Sequence, residues 1–192
     1  RTIVDKFLNS SVNIFKSDKY LAITSMSPNI KNKTKNNNKK NFFSYKNFVI
    51  NSGSLISCSN WQKIGKYDEN LFIDMVDYDF CQRVKNAGLK IIQFNKYRFE
   101  HSIGKLNKYL FNLFSYKSYT HQRHFHIIKD RLYFISKKYH KKNISTKLIK
   151  LTLIFSKFLK HLLLIILFEK NKYLCLKSAS QGFTKFKENN YL

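Results

Sequence analysis

The sequence is short of negative charge. Its 192 residues carry 11 acidic side chains against 36 basic ones, a formal net charge of +25. Arginine is also scarce: only Arg1, Arg83, Arg98, Arg123 and Arg131. Dedicated nucleic-acid binders rely on arginine for planar, bidentate contacts, so the shortage counts against that class, and no nucleic acid is expected as a partner. The other basic residues are lysines, and with the many Asn, Ile and Phe they match the usage of an AT-rich genome. A positive field still favours anions such as nucleotide diphosphates and acidic lipid surfaces.

Other absences narrow the class further. The three cysteines, Cys58, Cys81 and Cys175, are far apart and form no CxxC pair, as expected of reduced, mostly buried thiols in a cytosolic protein. The N-terminal "RTIVDKFLNSS" lacks the long apolar core of a secretory signal. No initiator Met opens the chain, so the expectation is a segment of a longer protein. What is present, 43% hydrophobic and 16% aromatic residues, is enough for a real core and excludes wholesale disorder. The length suits one domain with a helical appendage.

Along the chain, "KYLAITSMSP" (19–28) reads as a buried strand stopped by Pro28, the only proline, and 29–41 as a polar low-complexity loop. "FVINSGSLIS" (48–57) is a second strand, with Gly53 marking close backbone approach. A short helix capped by Ser59 or Asn60 ends at Gly65. Val76, Phe80, Val84 and Ala87 make a helical stripe over 76–87, closed by Gly88, and 89–99 is a strand ending at Glu100 and His101. This alternation predicts an α/β domain over 1–105. From 106 to 142 no glycine or proline occurs, and a basic, aromatic, mainly α-helical extension over 106–192 is expected.

Within that extension, 145–170 predicts a helix opened by Ser145. Lys157, Lys160 and His161 interrupt it, and its longest apolar run, Leu162–Phe168, falls short of the ~20 residues of a membrane span. Lys147, Lys150, Lys157 and Lys160 form a basic stripe beside a broad apolar face. That pattern suits a helix lying in a membrane interface, or one packed on the domain's own surface.

Five of the scarce acids, Asp68, Glu69, Asp74, Asp77 and Asp79, fall within twelve consecutive positions. Asp74 and Asp77 sit three apart where the 76–87 helix begins, and the helix dipole favours a charged carboxylate there. Asp79 points elsewhere and is free to pair with a base. By itself the cluster reads equally well as helix capping.

The stretch "NSGSLISCSNWQKIGKYDENLFIDMVDYDFCQRVKNAGLKIIQFNKYRFEHSIG" (51–104) resembles the acceptor half of family-2 glycosyltransferases, in particular the bacterial rhamnosyltransferase branch. Its Ser52–Gly53, Gly65 to Glu69, Phe72–Ile73–Asp74, Val76–Asp77, Asp79–Phe80–Cys81, Arg83, His101 and Gly104 follow that branch's motifs in order. A looser likeness runs through "RHFHIIKDRLYFISKKY" (123–139), where Phe125–His126 and Lys129–Asp130 replace Tyr-Tyr and Arg-Asn.

The resemblance implies the C-terminal part of a GT-A domain and inverting sugar transfer from a nucleotide-diphospho-sugar such as dTDP-rhamnose. The acceptor would be a glycan or lipid-linked hydroxyl in surface polysaccharide synthesis, on the cytoplasmic face of the cell membrane. It implies Asp77 as the catalytic base and His101 as a ligand to a divalent cation, Mg or Mn. Ser52, Gly53, Asp74 and Asp79 would shape the acceptor pocket, with Arg83 holding one of the carboxylates. Arg123 and Lys129 would offer charge to a phosphate. No Asp-x-Asp precedes residue 51, so the resemblance places the nucleotide-binding half outside this sequence. The alternative is a non-catalytic basic protein that binds nucleic acid or an anionic membrane.

Overall fold

The computed structural model describes residues 2–29, 41–101, 105–109, 114–139 and 143–189. The sequence-read loop at 29–41 and Gly104 fall largely or wholly outside these residues. The chain divides into two compact units, Arg1–Asp68 with Val76–Ser102, and Glu69–Met75 with Ile103–Leu192. A single cut at 105/106 would have left 69–75 with the first unit.

The first unit is a mixed α/β layer. Helix α1 (Ile3–Ser17) opens with a capping box: the Thr2 hydroxyl accepts from the Asp5 N–H, and the Asp5 carboxylate accepts from the Thr2 N–H. Strand β1 (Leu21–Asn29) follows, then the short β2 (Phe43–Tyr45) and β3 (Ser54–Ile56). Helices α2 (Cys58–Ile64) and α3 (Val76–Asn86) lead to the long β4 (Lys90–Glu100). The sheet order is β2-β4-β1-β3, with β1 parallel to β4 and both flanking strands antiparallel.

Alternation along β4 sends Ile91 to one face and Ile92 and Phe94 to the other. On the first face Phe80, Cys81 and Val84 of α3 pack with Ala22, Ile23 and Trp61. On the second, Phe7 of α1 meets Phe94 edge-on at 5.7 Å. Asn60 of α2 ties itself to β1 by donating to the carbonyl of Leu21 at 2.8 Å.

Several expectations change. The strand read over 48–57 shrinks to 54–56 because Asn51-Ser52-Gly53 form a turn, closed by the Ser54 N–H on the Asn51 carbonyl at 3.0 Å. Helix α2 starts after Ser57, two residues before Ser59 and without a side-chain capping bond, and Pro28 lies within β1, beyond a register shift between Ser25 and Ser27. Helix α1 and strand β2 had no counterpart in the sequence reading.

The second unit is mainly helical, but it begins with a hairpin of β5 (Lys105–Tyr109) and β6 (Phe114–Ser118), where a helix was expected. Helices α4 (His121–Lys138), α5 (Ile144–Phe168) and α6 (Lys172–Glu188) follow. Helix α5 starts after Asn143, not at Ser145, and without a side-chain capping bond. Ile128 and Leu132 of α4, Ile154 and Ile165 of α5, and Cys175, Ala179 and Phe186 of α6 form its core.

Candidate functional site

Asp77 lies in the first turn of α3, where exposed N–H groups favour a carboxylate. It borders a hollow of the first unit together with Asn51, Ser54 and Tyr67, over an apolar floor that includes Ile23, Val49 and Phe80. The hollow's volume of 10 Å³ accommodates about one water-sized group. The Tyr67 hydroxyl donates to Asn51 Oδ1 at 2.9 Å. Burial, with the Asp77 carboxylate nearby, pushes the Tyr67 phenol up to about 12, so it stays protonated and a donor. Burial likewise raises the Cys81 thiol, which donates to the Val49 carbonyl.

The turn that carries Ser52 and Gly53 is exposed, and Ser52 itself does not line this hollow; Asn51 and Ser54 do. Gly53 adopts φ 71°, and a Cβ there would lie 2.8 Å from the Phe99 ring. Only glycine admits this approach. The Phe99 ring in turn meets His101 edge-on at 5.7 Å, and the buried Nε2 of His101 has no hydrogen-bond partner among the described residues. The turn at 51–54 therefore meets Asp77's hollow through Asn51 and Ser54, and Phe99 through Gly53. Tyr67 and Asn51 escaped the sequence reading, although both lie inside the motif-bearing stretch. The branch pattern has Phe where this chain has Tyr67, and that departure was the available signal.

Asp79 and Arg83 hold the unit's own elements together. Asp79 is buried and pairs with Arg83 Nε at 2.9 Å. The rest of the Arg83 guanidinium donates to the carbonyls of Ile64, Gly65 and Lys66, pinning the end of α2 to α3. Arg83 thus holds Asp79 by a single bond and the loop by its fork.

In the second unit, Asp130 Oδ2 accepts the N–H groups of Phe72, Ile73 and Asp74 at 2.9–3.1 Å. Lys129 lies 3.0 Å from the other Asp130 oxygen and donates to the Asn70 carbonyl at 2.7 Å, while Asp74 pairs with Arg131 at 2.6 Å. Lys129 and Asp74 thus fasten the 69–75 loop onto α4. Arg123 stacks on Tyr119 at 5.0 Å with its Nε buried and unpartnered.

A second polar cluster was not anticipated. Glu169 accepts from Tyr116, Ser118, the Tyr119 N–H and His124 Nε2, and His124 Nδ1 lies 2.9 Å from His161 Nε2. With His124 donating to the carboxylate, its Nδ1 accepts from His161. Burial pushes both imidazoles down, His161 to about 3, so both are neutral near pH 7. Burial opposes ionisation of Glu169, but its hydrogen bonds, led by Ser118, outweigh it and hold the carboxyl below its ordinary value. The ligand atoms of His124, Glu169 and Cys175 lie within 4.8 Å of one another, a spacing a cation could use. Oε1 of Glu169 takes three of these contacts and Oε2 only the one from Ser118.

The chain matches no protein family, no curated protein and no solved structure.

Proposed function

We propose that the first unit is the acceptor-side part of an inverting, family-2-like glycosyltransferase of GT-A type. The observation that carries this reading is Asp77: a carboxylate at a helix N-terminus, beside a hollow the size of one hydroxyl, flanked by Asn51, Ser54 and Tyr67. In this reading an acceptor hydroxyl of a glycan or lipid-linked sugar enters the hollow. Asp77 takes its proton as the oxygen attacks the anomeric carbon. The new glycosidic bond forms while the bond from that carbon to the diphosphate oxygen breaks, and the diphosphate leaves with the electron pair. Asn51 and Tyr67 orient the acceptor.

A divalent cation, Mg or Mn, would supply neutralisation of the departing diphosphate. His101 fits as one of its ligands, because its Nε2 is buried and lacks a partner. The donor would be a nucleotide-diphospho-sugar, dTDP-rhamnose being the one the motif likeness suggests, used on the cytoplasmic face of the cell membrane in surface polysaccharide synthesis.

The rival reading, a non-catalytic basic protein, accounts well for Asp74 and Asp79, which both sit in ion pairs. It gives no reason for Asp77 and its polar neighbours to surround a hydroxyl-sized space. The test is sugar transfer by the full-length protein from a panel of nucleotide-diphospho-sugars, with Mg or Mn present. Asp77→Asn should lower kcat by about 10²–10⁴ and leave donor affinity unchanged. Near-normal turnover in that variant would remove Asp77 from the role of base.

A further inference from the structure

Helix α5 buries two of its polar residues and exposes a run of apolar ones. Lys150 and His161 are buried beside Ile154 and Ile165, whereas Leu148, Leu151, Phe155, Leu159, Leu163 and Ile166 are exposed. Their spacing of three and four residues aligns them in one stripe. Phe155, Leu159 and Leu163 are each more than half exposed, at 52%, 61% and 56%. The hydroxyls on this outer side are already satisfied by the helix itself: Thr152 donates to the Leu148 carbonyl and Ser156 to that of Leu153. They would lose no hydrogen bond on entering hydrocarbon.

On the side of α5 toward α4, with Lys160 nearest the edge of the stripe, Lys157 and Lys160 line a 110 Å³ cavity with Arg131 and His161 over Ile128, Leu132 and Leu164. That volume is several times the share of one water. Asp74 neutralises only part of the charge there, through its pair with Arg131.

We propose that α5 lies flat in the surface of an anionic phospholipid bilayer. The stripe enters the acyl boundary, and a headgroup phosphate sits in the cavity formed by Arg131, Lys157 and Lys160. Charge complementarity selects this occupant. A second copy of so basic a chain would bring like charges together along the same edge, whereas an anionic headgroup neutralises them. By length and composition α5 could also cross a bilayer. Lysines at 147, 150, 157 and 160, distributed along the helix and not gathered at its ends, favour the in-plane arrangement. The inference is independent of the transferase reading, since it needs neither donor nor turnover.

The test is co-sedimentation of the full chain with vesicles of phosphatidylglycerol or of phosphatidylcholine, without nucleotide. Binding should strongly favour the anionic vesicles and be released by carbonate. Phe155→Ser with Leu159→Ser, both exposed, should reduce binding at least tenfold with an unchanged circular dichroism spectrum. Lys157→Gln and Lys160→Gln should each cost about fivefold on the anionic vesicles and little on the neutral ones. Equal binding to both lipids, stripe variants that bind like the wild type, or retention that only detergent reverses would each overturn the proposal. So would self-association in lipid-free buffer that Leu159→Ser abolishes, without vesicle binding.

Discussion

A methyl group added at Gly182 would lie 2.4 Å from the carbonyl oxygen of Phe125, a backbone atom that cannot swing aside. Ser178, Ala179 and Gly182 give α6 a small, buried edge, and α4 rests against it. Gly182→Ala would gain about 1 kcal/mol of helix propensity. Separating the two helices costs about 1–3 kcal/mol or more, so the clash wins. A lowered Tm of the variant should show it, and a stabilised variant would mean the helices are looser than this contact implies. At the same scale, His101→Ala should weaken cation-dependent donor binding, with partial rescue by added Mg or Mn, whereas Asp77→Asn should act on turnover alone. Isothermal titration with and without the cation separates the two. A His101→Ala variant with unchanged cation dependence would remove His101 as a ligand.

At the scale of elements, one buried side chain gathers the backbone of the 69–75 loop, beside the Lys129 contact to Asn70 and the Arg131 pair with Asp74. Asp130 is fully buried and accepts three successive N–H groups from Phe72 to Asp74. Met75, next along the chain, holds φ 62°, a left-handed conformation that is costly for its side chain. The Asp130 bonds offset that strain and, with the Lys129 and Arg131 contacts, keep the loop in place. Asp130→Ala would strand those donors and lose the Lys129 pair, a loss of about 2–4 kcal/mol. Limited proteolysis should then cut near Phe72, which is exposed, well before the wild-type chain is cut there. Asp130→Asn keeps an acceptor and should fall between the two. Equal cleavage of all three would show that the loop is held by something else.

For the whole molecule, acid should be more damaging than its carboxylates alone suggest. His124 and His161 are buried neutral, with pKa values below the ordinary 6.5, His161 at about 3. The unfolded chain therefore binds protons that the folded one does not. Stability is complete above about pH 6.5 and falls as pH drops toward the folded values. Below about 4.5 the Glu169 carboxylate, held low by its hydrogen bonds, adds a second loss in the same direction. Arg131 near His161 and His121 near His124 deepen the first effect. Thermal melts from pH 7.5 to 4 should show Tm declining from about 6.5 downward, and His161→Gln should flatten the upper part of that decline. A Tm that holds steady until the carboxylates titrate would show that the imidazole pair carries no such linkage.

The sequence by itself determined the elements whose signal is local. The stripe Val76-Phe80-Val84 and Gly88 specify α3, and Ile91, Ile92 and Phe94 mark β4, because periodicity and a positive-φ terminator act within a few residues. The order of motifs also put Asp77 at a helix start. The capping box of α1 is equally local. Strand β6 lies in a stretch whose lack of glycine and proline predicts helix, and it is strand because it pairs with β5. Only tertiary structure decided the rest. Asn51 and Tyr67 are 16 residues apart and meet through a hydrogen bond that no periodicity records. His124 and His161 come from two helices, Glu169 from the end of the second, and the partners Tyr116 and Ser118 from a hairpin. The same lysine spacing on α5 is compatible with either outward or inward charge. What turned Lys150 and His161 inward was the need of α4 and α6 to bury Ile154 and Ile165 on that side, and burial is a property of the neighbours a residue acquires, not of its own place in the chain.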